Sequence, residues 1–381
     1  MAKRVKVAID LRDLKKAKTG TFTYLNEITK ALELKKDVID LVLIKYPFDV
    51  YTGGNYFLKA IEHLLFFFWK QIVLPAYCFF KKCDVLFCTD YFSPVIRLKT
   101  RYFVVFHDCF FFDHPSYYNP IWRASFKILG VAGAKKAEKI ITPSNYVKAR
   151  LGKLVPALHN KIKVVYEGHA DFDQMLEQPL SKIENNLIQS FLTNRKYILY
   201  VGTLDRRKNI DRLIMAYEKL PQEIKSELVL IVAGSSPAYK GSDYTYQLRS
   251  MIKSSGLEKN ILLTGRVAQH MLKKLYQEAD FLIQPSIDEG FGLPIVEALH
   301  FEIPFAAANN TAMPEIGGDA GIYFDPFDMQ QITETIIRLY HNDTLKKELI
   351  QNGKKLKEQY NWNLAADHLL DIFMSNQRDE A

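Results

Sequence analysis

Short runs rich in Val, Ile, Leu and Phe recur through the first half of the chain, at residues 5–10, 41–46, 85–90, 102–108, 139–144 and 162–168. Between them lie stretches whose apolar residues repeat at helical spacing, such as 23–34 and 120–137. A second series follows at 197–202, 228–234, 261–267, 280–286, 305–309 and 321–324, with helix-like segments at 209–220, 269–278 and 294–300 between its members. Strands that are apolar almost throughout are covered on both faces, and their alternation with helices predicts parallel sheets. The pattern therefore predicts an α/β protein of two doubly wound domains in tandem, residues 1–172 and 197–358. Residues 173–196 lose the strand pattern and turn polar, as a hinge would. A last segment, 359–381, carries apolar residues at helical spacing over 362–374 and reads as a C-terminal helix that could cross back to the first domain, though its sequence does not place it.

A length of 381 residues suits two cores of similar size. The net charge of +8 hides an asymmetry: residues 1–170 hold 28 Lys and Arg against 14 Asp and Glu, and the remainder is mildly acidic. A basic half suits a polyanionic partner such as a phosphorylated substrate or an anionic membrane surface. Runs such as Lys15, Lys16 and Lys18 also read as plain solvated faces. Nucleic acid is not expected, because no helix-turn-helix or RNP-type pattern accompanies the charge. The four cysteines, Cys78, Cys83, Cys88 and Cys109, have no C-x-x-C spacing and are expected to be free and buried. The opening MAKRVKVAIDLRD passes directly into a strand pattern, so no secretory leader is expected. The most apolar region, 57–80, is interrupted by Lys59, Glu62, His63, Lys70 and Pro75, and is expected to fall short of a membrane span. Its LLFFFW run, 64–69, reads equally as a buried helix or as one that dips into a membrane interface.

Candidate chemistry gathers at the ends of predicted strands, where open α/β sheets bind ligands. The stretch DFLIQPSIDEGFGLPIVE, 280–297, predicts a strand, a glycine turn, and a helix with Pro294 at its start and Glu297 in its first turn. Gly290 and Gly292 allow positive φ or close approach of backbone to a ligand. Glu289 and Glu297 thus flank one turn, and a carboxylate accepts two hydroxyl hydrogen bonds at once, which suits the vicinal diol of a ribose or hexose. The turn GTLDRRKN, 202–209, is expected to place Arg207 and Lys208 at a helix N-terminus, an anion site by dipole and by charge. Cations for phosphates and carboxylates for sugars together describe a sugar nucleotide. Gly20 joins the first strand to the first helix, and His107 ends a strand where it could bond a substrate hydroxyl. Taken singly, both are ordinary features of turns and strand ends. Asp171 and Asp173 form a D-x-D that reads as surface, and no metal site is expected.

Taken together, these motifs resemble family 4 of the retaining glycosyltransferases, whose fold is GT-B: two Rossmann-like domains facing across a cleft. The resemblance covers nearly the whole chain. It rests on the Gly20 turn, WKQIVLPAYCFFKKCDVLFCTDYFSP, the FHD strand end, ITPSNY, VVYEG, YVGTLDRRKNI, IVAG, TGRV, the E-x7-E of DEGFGLPIVEAL, and PEIGGDAGIYFDP. It implies that Glu297 holds the donor ribose, that Glu289 lies by the donor sugar, and that Arg207 and Lys208 stabilise the diphosphate. It also implies that Gly20 closes over that diphosphate, that His107 sits near donor sugar and acceptor, and that Arg266 and Val267 contact the base. The loop from Gly202 and the Gly290, Phe291, Gly292 and Leu293 turn complete the implied donor site. Two departures stand out. The run Gly20-Thr21-Phe22-Thr23-Tyr24 lacks a second glycine and a basic residue common in the family, and Leu299-His300-Phe301-Glu302-Ile303-Pro304 is bulkier than the usual Ala-x-Gly-x-Pro.

The implied activity is retaining, metal-independent transfer of a hexose from a nucleotide-diphosphate sugar, with GDP-mannose favoured over UDP-sugars and dTDP-rhamnose. The donor is a co-substrate, and no cofactor is expected. A glycan acceptor, lipid-linked at the cytoplasmic leaflet as in surface polysaccharide assembly, fits the basic first domain, and the hinge is expected to close on donor binding. A sugar-nucleotide epimerase on a similar scaffold would share the phosphate chemistry but act without an acceptor.

Overall fold

A computed structural model of the chain describes residues 4–15, 20–51, 53–115, 120–172, 191–192, 194–236 and 243–375. Most of the expected hinge, together with Lys16, Lys18 and Asp173, lies outside the described residues. The chain divides into two compact units, residues 1–168 with 361–381, and residues 169–360.

The first unit is built on a six-stranded parallel sheet in the order β2-β1-β3-β4-β5-β6. The strands are β1 Val5–Asp10, β2 Ile39–Ile44, β3 Val85–Cys88, β4 Arg101–Val105, β5 Lys139–Thr142 and β6 Ile162–Val164. Successive side chains of a strand face opposite ways, and here both faces are apolar. Val7 and Ile9 enter a core with α1 (Gly20–Glu33) and the final helix Trp362–Met374. Ala8, Leu86 and Val104 enter a second core on the other face, with all or part of the helices that follow β2. The final helix thus completes the first unit: Phe373 packs on Phe87 and Phe103, and Lys35 pairs with Asp367 at 2.5 Å. All four cysteines are free and buried.

The apolar region after β2 departs from expectation. Helix α2 (Tyr56–Phe68) runs through a π-turn, Trp69–Val73, directly into α3 (Leu74–Phe80). Pro75 brings no N–H to the preceding turn, and the widened turn just before it absorbs the mismatch. The result is one continuous 24-residue helix, Phe57–Phe80, with a mean hydropathy of 1.3, long and apolar enough by those measures to cross a membrane. The polar residues and proline that were expected to break it do not.

The second unit repeats the architecture in the order β12-β11-β10-β7-β8-β9, all parallel. Its strands are β7 Lys196–Val201, β8 Leu228–Ala233, β9 Ile261–Gly265, β10 Phe281–Gln284, β11 Phe305–Ala308 and β12 Gly321–Phe324. From β7 the chain winds outward through β8 and β9, then returns to β10 and winds the other way. The sheet's topological switch point therefore lies between β7 and β10, and the loops after these two strands flank it.

Several expected strands overran their carboxyl ends. β3 stops at Cys88, β4 at Val105, β6 at Val164 and β10 at Gln284. The residues beyond are loops, yet they stay buried: Asp90 is 7% exposed, Glu167 5% and Ser286 0%. A buried loop keeps the apolar neighbours of a strand without its ladder, and composition does not separate the two.

Candidate active site

At the switch point of the second unit, the turn after β7 is shaped by glycine. Gly202 has φ +154°, and Gly234, at the end of β8, lies so close that an added Cβ would sit 1.7 Å from the Gly202 carbonyl oxygen. Gly234 N–H donates to the Gly265 carbonyl at 2.9 Å, which draws the end of β9 to the same edge. Arg266 and Val267 follow there; Arg266 is exposed and Val267 half-buried.

Asp205 then organises the cations. Its carboxylate accepts from the Arg207 N–H at 3.2 Å and from the Thr203 hydroxyl at 3.2 Å, and it lies 3.3 Å from Arg207 Nε. Arg206–Lys208 form a 3-10 turn that ends at Asn209, whose φ of +59° is left-handed, and helix Ile210–Glu218 begins only beyond it. The cations therefore precede the helix in a capped turn of their own and do not occupy its N-terminus. Asn209, 2% exposed, donates through Nδ2 to the carbonyls of Pro285 at 3.0 Å and Pro326 at 2.7 Å. The Ile287 N–H donates to the Arg207 carbonyl at 2.8 Å. The bonds to Pro285 and from Ile287 fasten the cationic turn to the loop after β10, and the bond to Pro326 fastens it to the loop after β12.

That loop delivers Glu289 directly to Lys208 Nζ in an ion pair, and both side chains are 12% exposed. Ser286 donates its hydroxyl to the same carboxylate at 2.9 Å. Burial pushes the Glu289 carboxyl up, but Lys208 and Arg207 and the hydrogen bonds outweigh it, and the group ionises below its ordinary range. Sequence reading had assigned Lys208 to a phosphate and Glu289 to a sugar; the fold joins them in one pair, because a separation of 81 residues in sequence carries no distance.

Gly290 is buried, and Phe291 is 5% exposed with its ring edge-on to Tyr360 at 5.9 Å, so this side chain serves packing. Gly292 takes φ +105° to turn the chain into helix Leu293–His300. Leu293, its first residue, is half-buried. Glu297 is fifth in that helix, not in its first turn. Its Oε2 accepts from the Tyr276 hydroxyl at 2.6 Å, and burial raises its carboxyl to about 7.

The bulkier residues after Glu297 have a clear use. Phe301 stacks on Tyr276 at 5.3 Å and meets Phe172 edge-on at 4.9 Å, while His300 stacks on His169 at 3.9 Å. Phe172, the middle residue of the D-x-D, is fully buried, Asp171 is half-buried, and Asp173 lies outside the described residues.

Gly20 and His107 belong to the first unit. Gly20 is the first residue of α1. His107 follows β4 by two residues, with Nε2 at 2.9 Å from the Thr89 carbonyl and Nδ1 at 3.4 Å from Glu167. Burial lowers the imidazole's pKa, but the hydrogen bond and charge of Glu167 prevail and raise it above its ordinary value. Tyr24, in the run that lacks the second glycine, packs edge-on against His107 at 4.8 Å.

Asp205, Asn209, Ser286 and Tyr276 were missed by sequence reading. Asp205 and Asn209 stood inside a motif already singled out, as acid and amide flanking a basic run, which is a capping signal. Nothing in the sequence marked Tyr276.

Comparison with known proteins bears on the family and the fold. The profile of the family described as "Glycosyl transferases group 1" matches residues 182–356, and that of "Glycosyltransferase Family 4" matches residues 20–170. The chain is 30% identical over 277 residues to the O-antigen chain mannosyltransferase B of Escherichia coli, covering 72% of this chain and 70% of that one. It is 25% identical to the O-antigen chain mannosyltransferase RfbU of Salmonella typhimurium, covering 84% and 87%. Its fold matches the crystal structure of Anabaena Alr3699/HepE in complex with UDP and glucose, with a TM-score of 0.69 at 16% identity over 98% of this chain and 100% of that one.

Proposed function

We propose that this chain, which belongs to glycosyltransferase family 4 and has the GT-B fold, moves a hexose from a nucleotide-diphosphate sugar to a glycan acceptor with retention at the anomeric carbon. That it is a glycosyltransferase follows from the family and from relatives named as O-antigen mannosyltransferases. The observation that carries the finer reading is the meeting of Arg207, Lys208 and Glu289 at the switch point of the second unit.

In this reading the diphosphate draws on Arg207 and Lys208, and Glu289 turns from its ion pair toward the donor sugar's hydroxyls. The bond from C1 to the phosphate oxygen breaks as the acceptor oxygen bonds to C1 on the same face, and the departing phosphate oxygen takes the acceptor's proton. Neither metal nor cofactor enters this scheme. The enzyme contributes positioning and fixed positive charge, and losing one such donor of charge costs about 3–4 kcal/mol, or roughly 10²–10³ in rate. Glu297 grips the ribose diol, and Arg266 and Val267 border the base. Within the first unit, the N-terminal turn of α1 at Gly20 suits an anionic group, and His107 suits an acceptor hydroxyl.

GDP-mannose is the favoured donor, supported by the names of the relatives. The acceptor is read as lipid-linked, with the enzyme in the cytoplasm against the membrane's inner face, supported by the basic excess in residues 1–170. The test is product analysis of the purified chain with GDP-mannose, UDP-glucose and dTDP-rhamnose, each with a saccharide acceptor and a chelator. Expected is an α-linked mannoside formed only with acceptor and undiminished by the chelator. A UDP- or dTDP-sugar product would replace the donor, an inverted linkage would end the mechanism, and an epimerised donor without acceptor would end the reading.

A further inference from the structure

The helix Phe57–Phe80 is turned inside out. Two of its charged side chains face the protein: Glu62 pairs with Arg12, and Lys70 lies 2.7 Å from Asp10 and 2.6 Å from Asp90, all five of these groups being buried. Gln71 is likewise engaged, donating to the Ser93 carbonyl at 3.2 Å and accepting from the Val95 N–H at 2.8 Å. The face turned outward is apolar. Phe57 is 72% exposed, Ile61 38%, Leu64 71%, Leu65 38%, Phe68 57% and Ile72 49%. At 100° per residue these six positions fall within an arc of about 100°, a single stripe along the helix. Scattered exposed apolar residues are ordinary, but a continuous stripe on a helix whose Glu62 and Lys70 are both paired inward marks a surface that meets another apolar phase.

We propose that this stripe is a membrane-docking surface, laid flat in the headgroup region of an anionic bilayer. Charge selects the lipid over other occupants: residues 1–170 carry a net +14, and the helix ends in exposed Phe79 and Phe80 followed at once by exposed Lys81 and Lys82. Length and hydropathy alone would also allow a span, but the ion pairs of Glu62 and Lys70 hold one side of the helix to the sheet. Crossing a bilayer would break them and place both charges in hydrocarbon. The proposal rests on the preceding reading only for its purpose, which is to bring the enzyme to a lipid-linked acceptor; the contact itself is measurable without any transfer.

The experiment is flotation of the full chain with vesicles of phosphatidylglycerol and phosphatidylethanolamine, against vesicles of phosphatidylcholine. The variants are the native chain, Leu64→Ser/Phe68→Ser, and Tyr246→Ser as a control at an exposed position of the second unit. Both substituted residues of the double variant are exposed, so an unchanged urea midpoint is expected. The native chain and the control should float with anionic vesicles and less well in high salt. The double variant should bind roughly 100-fold more weakly, about tenfold for each side chain withdrawn. A native chain that fails to float at low salt, or a double variant that floats equally well, overturns the proposal. So does a native mass by light scattering of twice the chain that halves in the double variant, since the occupant would then be a second copy.

Discussion

Replacing Glu297 by Gln tests the burial of the proposed ribose ligand through stability, without any substrate. The group ionises at about 7 in the folded chain, against 4.5 ordinarily, because burial disfavours its charge more than the Tyr276 hydrogen bond favours it. Below pH 4.5 it is protonated folded or unfolded and costs nothing. As pH rises from 4.5 to 7 the unfolded chain releases the proton while the folded chain keeps it, so stability falls; above 7 the loss is complete. At about 1.4 kcal/mol per pH unit, the loss is on the order of 3 kcal/mol. Gln is nearly isosteric, its amide oxygen still accepts from Tyr276, and it does not titrate. Urea unfolding of both proteins across pH 4.5 to 8.5 should therefore show the variant gaining on the native chain by about 3 kcal/mol over that range, most of it before pH 7.5. A difference that stays flat within about 0.5 kcal/mol refutes the claim that Glu297 is buried without adequate compensation. If the residue also grips the ribose, the variant's donor KM rises while kcat changes less, and the native donor KM falls as pH passes upward through 7.

Lys208→Met should lower kcat by roughly 10²–10³ with the fold intact by circular dichroism, and a kcat within threefold of native would remove Lys208 from the chemistry. Asn209→Ala deletes two buried hydrogen bonds and places a Cβ residue with ordinary preferences at a left-handed φ; urea unfolding should show a loss of about 2–4 kcal/mol, and a loss under 0.5 kcal/mol would mean that Asn209 does not fasten the two loops. Gly234→Ala forces a Cβ against the Gly202 carbonyl and should cost more than about 4 kcal/mol or abolish soluble expression, whereas a native-like melting temperature would show that β7 and β8 can part there at little cost.

What the sequence determined by itself is what depends on neighbours along the chain. Runs of Val, Ile and Leu marked nearly every strand, helical spacing marked the segments between them, and the turns at 202–209 and 288–299 were visible as glycine beside charge. Each signal is local, because a backbone's preference for strand, helix or left-handed turn is set by the residue and those next to it. Tertiary structure decided everything that depends on distance across the chain. It joined Lys208 to Glu289, set Tyr276 on Glu297, brought the last helix onto α1, and turned the helix of residues 57–80 so that Glu62 and Lys70 face inward. That last case shows why: hydropathy counts apolar residues, but which of them meet solvent is settled by where Arg12, Asp10 and Asp90 stand, and these come from other strands and turns. Burial, which raises the carboxyl of Glu297, and the approach of Lys208 and Arg207, which lowers that of Glu289 against its burial, belong to the packed molecule alone.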